Sequence, residues 1–198
     1  MPKPQTPPRE AQLNRVTLET TIEGRLNLDG GPIKLEGSPG FFLHMLNTLA
    51  VYAGWGLKLT VTGDRHVDDH HTVEDTGLVL GQMLSVSLGD FSGHRRFGHS
   101  LVPMDESLAE AALDISNRPY FRLEGAWPQT VTGQFDLYLV EEFFRALTQK
   151  AGWTLHVILR HGRNSHHLCE ALFKAVGLAA RKALAPRQGG VFSTKGVL

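Results

Sequence analysis

AGWGLKLTVTG (residues 53–63) followed by HHTVE (70–74), and AGWTLHVIL (151–159) followed by HHLCE (166–170), present the same parts in the same order. Each begins with Ala-Gly-Trp, continues as a run in which apolar residues alternate, and ends in His-His-x-x-Glu. The distance from the alanine to the first histidine differs between the two copies by only two residues. Upstream of each triplet, residues 41–52 and 140–151 carry apolar side chains at helical spacing, so both copies read as helix, then strand, then helix. Self-similarity of this kind marks one supersecondary unit used twice. The fold expected is α+β: two duplicated sheet-and-helix halves, about 15–95 and 96–198, with helices on one face of a mostly antiparallel or mixed sheet.

Working outward, residues 15–28 alternate and are rich in threonine, which predicts a strand, and Asp29-Gly30-Gly31-Pro32 turns the chain after it. The second half is expected to close on a long amphipathic helix over residues 166–185. Residues 1–10 hold four prolines and few core-forming side chains, so they read as a flexible arm ahead of a single domain over residues 11–198.

Twenty basic residues balance twenty acidic ones, which gives no global field to draw the chain to nucleic acid or an anionic membrane. Phosphate binding, if any, is therefore local. One cysteine, Cys169, cannot form an internal disulfide, and no apolar run reaches membrane-spanning length, so a cytoplasmic location is expected. Cys169 reads as a small apolar residue of the last helix. The composition departs from the ordinary in its ten histidines, four of them in two adjacent pairs.

On a helix, residues three and four apart share a face, so Glu74 can serve His70 or His71, and Glu170 can serve His166 or His167. Consecutive histidines diverge by roughly 100°, so each pair suits two metal ions better than one. Imidazole and carboxylate donors without thiolate suit Mn²⁺, Fe²⁺, Co²⁺ or Zn²⁺, and a mixed shell of six favours Mn²⁺ over a closed four-ligand Zn²⁺ site. The duplication adds a further pair: His44 and Glu142 both lie nine residues before the alanine of their triplet, and each is expected to complete one ion's ligand set. For an anion, the candidates are Arg96, Arg118, Ser193 and Lys195, with Lys174 one helical turn beyond Glu170.

With these residues in order, the sequence resembles the imidazoleglycerol-phosphate dehydratase family over nearly all of residues 15–198. The matching segments include Glu19-Thr20, His44-Met45-Leu46, DDHHTVED (68–75), Arg96-Phe97-Gly98, Pro103-Met104-Asp105-Glu106, Arg118-Pro119, Phe173-Lys174-Ala175 and Ser193 to Gly196. The resemblance implies dehydration of imidazoleglycerol phosphate to imidazole acetol phosphate in histidine biosynthesis. It also implies two Mn²⁺ ions per active site and a 24-subunit homo-oligomer built from trimers, with ligands from neighbouring subunits. The resemblance further implies phosphate binding by Arg96, Arg118, Ser193 and Lys195, substrate contact by Lys174 and a catalytic role for Glu19, for which a base or proton shuttle is the expected part. The chain departs from the family pattern at Leu43 (usually Asp), Tyr52 and Gly56 (in a usual His-Gly-x-x-Asp), Glu142 (usually His) and Phe192 (usually Pro). Two other readings stay open on the sequence: a non-catalytic metal-binding assembly protein, and a dinuclear metallohydrolase that releases phosphate.

Overall fold

A computed structural model describes residues 9–198, which form four helices and two four-stranded sheets. The first half runs β1 (Glu10–Val16), β2 (Thr20–Asn27), β3 (Ile33–Gly37), α1 (Gly40–Ala53), β4 (Gly56–Gly63) and α2 (His70–Leu88). The second runs β5 (Phe97–Met104), β6 (Ser107–Ile115), β7 (Tyr120–Glu124), a small hairpin β8 (Val131–Thr132) and β9 (Phe135–Asp136), then α3 (Tyr138–Ala151), β10 (Trp153–His161) and α4 (Ser165–Ala183). The sheets repeat one topology, β1-β2-β4-β3 and β5-β6-β10-β7, each antiparallel except for a parallel last pair.

The repeated triplets now have a physical reason. Ala53 and Ala151 end α1 and α3; Gly54 (φ 76°) and Gly152 (φ 69°) take the left-handed conformation that closes a helix. Trp55 and Trp153 are buried at the start of the next strand. Each sheet buries one face, as β2 shows: Ile22 and Leu26 point inward while Glu23 and Arg25 face solvent.

The helices pack between the sheets, and they exchange partners across the halves: α1 lies against α4, and α2 against α3. Close approach is set by glycine. A Cβ on Gly81 of α2 would stand 2.3 Å from the Leu147 carbonyl oxygen of α3, and one on Gly177 of α4 2.8 Å from that of Leu49 in α1. These pairs are equivalent under the duplication. Phe143 joins the layers, packing on Phe42 of α1 (5.1 Å between centroids) and Phe173 of α4 (5.9 Å) within one continuous core.

Three expectations are corrected. The strand over residues 15–28 is a hairpin, β1 and β2, whose turn is held by the Thr17 hydroxyl accepting from the backbone N–H groups of Glu19 (3.1 Å) and Thr20 (2.9 Å). Of the expected arm, residues 1–8 lie outside the described residues, whereas Arg9 donates to the Leu184 carbonyl (2.7 Å) and Glu10 begins β1. The last helix ends at Ala183 rather than at residue 185.

Gly81→Val forces a branched side chain into the α2–α3 contact. At about 1–3 kcal/mol for overpacking and about 2–4 °C per kcal/mol for a chain of this size, calorimetry should give a Tm lower by roughly 2–12 °C. An unchanged Tm would show that the crossing does not depend on this glycine.

Candidate metal and phosphate site

The exchange of helix partners brings His44 of α1 to His166 and Glu170 of α4. The Glu170 carboxylate lies 3.3 Å from His44 Nε2 and 3.5 Å from His166 Nε2, and one donor atom from each of the three falls within 4.8 Å of the others. Lys174, one turn on, reaches Glu170 at 3.0 Å and lies 5.6 Å from the centre of the Tyr52 ring. Burial pushes the Glu170 carboxyl pKa up, but the hydrogen bond and charge of Lys174, with His44 adding, outweigh it and leave the pKa lowered. The group is therefore an anion ready for a cation.

The equivalent place between α2 and α3 is built differently. His70 Nε2 stands 3.9 Å from Glu74. Glu142, the counterpart of His44, stands instead 3.9 Å from Arg145 and beside the Tyr138 hydroxyl, whose pKa its carboxylate raises. Among the described residues no His70 nitrogen comes within 4 Å of Glu142. The grouping equivalent to His44 with His166 and Glu170, namely Glu142 with His70 and Glu74, is thus not formed among the described residues of one chain. His70 and Tyr138 line a cavity of ≈ 400 Å³ with Arg65, Asp68, Asp69, Gln134, Asp136 and Leu139.

The rings within each histidine pair stand nearly perpendicular, at 88° for His70 and His71 and 86° for His166 and His167. The second histidine of each pair therefore turns away from the glutamate of its own motif. His71 Nδ1 meets Asp64 at 3.0 Å and Glu19 at 3.7 Å; His167 Nδ1 meets Glu106 at 3.0 Å and Asp105 at 3.8 Å. Glu19 is set there by the β1–β2 hairpin, which α2 anchors through buried Asp75, hydrogen-bonded by the Thr20 hydroxyl and paired with Arg15. Both ring pKa values are raised, His71 chiefly by the Asp64 hydrogen bond and His167 by that of Glu106, against burial in each case. The Glu106 carboxyl is lowered to about 2, first by His167 and, against burial, by backbone N–H donors.

The expected anion-binding residues converge. Arg96, Arg118, Ser193 and Lys195 line one cavity of ≈ 790 Å³, with Ser116 and Arg187. Arg96, at φ 74°, is fixed by two bonds to Asp114 (2.7 and 3.0 Å) and one to the Phe192 carbonyl (2.8 Å). Phe192 also carries the Arg187 guanidinium at 4.4 Å from its ring centre. Lys174 belongs to the His44 cluster, not to this cavity, and the two share no lining residue.

Sequence reasoning assigned no role to Asp64, Glu106, Asp114 or Arg187. The available signal was an acid followed by a hydroxyl at the start of β2 and β6, Glu19-Thr20 and Glu106-Ser107. Both clusters around His44 and His71 offer only imidazole and carboxylate donors, which fits a hard divalent ion such as Mn²⁺.

The family model described as imidazoleglycerol-phosphate dehydratase matches residues 38–180. The chain belongs to the imidazoleglycerol-phosphate dehydratase family. Similar relatives include the imidazoleglycerol-phosphate dehydratases of Geobacillus kaustophilus, 47% identical over 96% of this chain and 99% of its own, and of Desulforamulus reducens, 49% identical over 96% and 98%. The solved dehydratase of Staphylococcus aureus aligns with a TM-score of 0.82 at 36% identity, over 90% of this chain and 99% of its own. That of Pyrococcus furiosus, in complex with (S)-C348, aligns at 0.83 and 34%, over 94% and 100%.

Metal binding at these rings would require them to shed their protons, which His71 and His167 hold above the ordinary imidazole value of 6.5. Mn²⁺ affinity should therefore weaken as pH falls through these raised values and recover above them. Titrations of metal-stripped protein at stepped pH read this directly, and an affinity that does not change with pH would contradict it.

Proposed function

We propose that the chain is a Mn²⁺-dependent hydro-lyase that converts imidazoleglycerol phosphate to imidazole acetol phosphate and water in histidine biosynthesis. Family membership supports the reaction. The observation that carries the metal assignment is the meeting of His44 with His166 and Glu170, imidazole and carboxylate donors from opposite halves of the chain that lie within 4.8 Å of one another.

Eight residues are assigned to the metals: His44, His70, His71, Glu74, Glu142, His166, His167 and Glu170. Two Mn²⁺ ions, when bound, would supply Lewis acidity and a template for the imidazole ring. The chain's own residues do the rest. Arg96, Arg118, Ser193 and Lys195 hold the phosphate by charge-assisted hydrogen bonds, with Arg96 kept in place by Asp114. Lys174, aimed by Glu170, contacts the substrate. Glu19, exposed at the hairpin and 3.7 Å from His71, accepts the proton lost from carbon as the hydroxyl on the ring-bearing carbon departs. The enol that results tautomerises to the ketone.

The phosphate cavity and the His44 cluster are separate within one chain, which favours a site completed by a neighbouring copy; the 24-subunit assembly of trimers rests on the family resemblance alone. Leu18, fully exposed beside Glu19, suits such a contact. No helix among the described residues is long and apolar enough to cross a membrane, and we assign the enzyme to the cytoplasm.

Metal-stripped protein should form the ketone only after Mn²⁺ is added. Glu19→Gln should retain substrate binding while turnover falls by about 10²–10⁴-fold. Phosphate release in place of ketone would make the chain a hydrolase, metal uptake without product would make it a non-catalytic assembly, and undiminished turnover would remove Glu19 from the mechanism.

A further inference from the structure

The second histidine of each pair is held by the same atom in the same way, although the residue that holds it comes from a different part of each half. Asp64 follows β4, the strand before α2, whereas Glu106 sits in the hairpin between β5 and β6. Both accept from Nδ1 at 3.0 Å. The duplication does not dictate this, since Glu106 is the hairpin counterpart of Glu19, not of Asp64. Two unrelated positions arrive at one geometry.

We infer that Asp64 and Glu106 are positioning residues that commit His71 and His167 to presenting Nε2 as the metal-binding nitrogen. The inference rests on the reading of these histidines as ligands. A neutral imidazole has one N–H and one lone pair, and a carboxylate on Nδ1 places the proton there and leaves the lone pair on Nε2. It also stops ring rotation, so the donor is aimed before the ion arrives.

Glu106 has no freedom to do otherwise. Its Oε1 accepts from the backbone N–H groups of Asn164 (2.9 Å) and Arg163 (3.2 Å) and from the Ser107 hydroxyl (3.1 Å), leaving Oε2 for His167. One carboxylate thus ties the β5–β6 hairpin to the start of α4 and orients the ring. Asp64 is mostly shielded, with a side chain 14% exposed, and directs Oδ2 at His71. Glu19 and Asp105, at 3.7 and 3.8 Å from the same nitrogens, are beyond hydrogen-bond reach and stay exposed.

The test uses the full chain with Asp64→Ala, Glu106→Ala and the conservative Glu106→Gln, which keeps an acceptor oxygen. Mn²⁺ affinity of the stripped proteins is followed by electron paramagnetic resonance of the free ion. Each alanine variant should bind about 10–100-fold more weakly, with Glu106→Gln between it and the wild type. Solid-state ¹⁵N spectra of histidine-labelled, metal-free protein above neutral pH report the tautomer without any metal. Wild type should show His71 and His167 protonated at Nδ1, and each ring should lose that preference in its own alanine variant. Tautomers unchanged in both alanine variants would overturn the inference. Should Glu106→Ala fail to fold, Asp64→Ala and Glu106→Gln carry the same comparison. Absence of Mn²⁺ uptake by the wild type would overturn the metal reading alone, since the tautomers still decide the positioning role.

Discussion

Gly81 lies against the Leu147 carbonyl and Gly177 against that of Leu49, and the functional pairings of the chain inherit the geometry of these two crossings. With no side chain at either glycine, each motif-bearing helix, α2 or α4, settles onto a helix from the other half. His44 reaches His166 and Glu170 only because α1 and α4 meet in this way. The second half, left alone, would hold His166 and Glu170 without His44 to complete them. The duplicated unit is therefore a structural repeat but not a functional one. The cluster of His44, His166 and Glu170 exists only in the fused pair.

The electrostatics divide the ligand sets into two kinds. The first histidine of each pair stays with the glutamate one turn on along its own helix, while the second turns about 90° away to a carboxylate outside the motif. Negative groups thus surround all four rings. Such crowding raises the proton affinity of His71 and His167 and gives a divalent cation a role in relieving it. In the phosphate cavity the signs reverse. Asp114 aims Arg96 and stands 3.6 Å from Arg118, which leaves Arg187 and Lys195 as the cavity cations it does not pair with.

Much of this was legible in the sequence, and what was not has physical causes. The Ala-Gly-Trp triplets announced themselves because a helix that must end before a buried strand needs a left-handed residue, which glycine supplies. The His-His-x-x-Glu phase survived into the structure because it depends only on helix geometry. The β1–β2 hairpin escaped notice because its turn, Thr17 to Glu19, is closed by a threonine hydroxyl and contains neither glycine nor proline. Strand β6, SLAEAALDI, has the alanine, leucine and glutamate of a helix, but its burial alternates because it pairs with β5 and β10. Glu142 was placed correctly by the repeat, yet its side chain is drawn to Tyr138 and Arg145 on its own helix, a local contact that no alignment of halves reveals. Asp64 and Glu106 were not read because the carboxylates that hold His71 and His167 come from non-equivalent places in the two halves, although Glu106 itself aligns with Glu19.

A crystal structure of the chain grown with Mn²⁺, with the metal located by anomalous scattering, tests the account most directly. Peaks at His44 with Glu170, and at His70 with Glu74 joined by a reoriented Glu142, would place each ion between helices from opposite halves, as the account requires. No peak at either histidine pair, or peaks only at residues away from them, would contradict it.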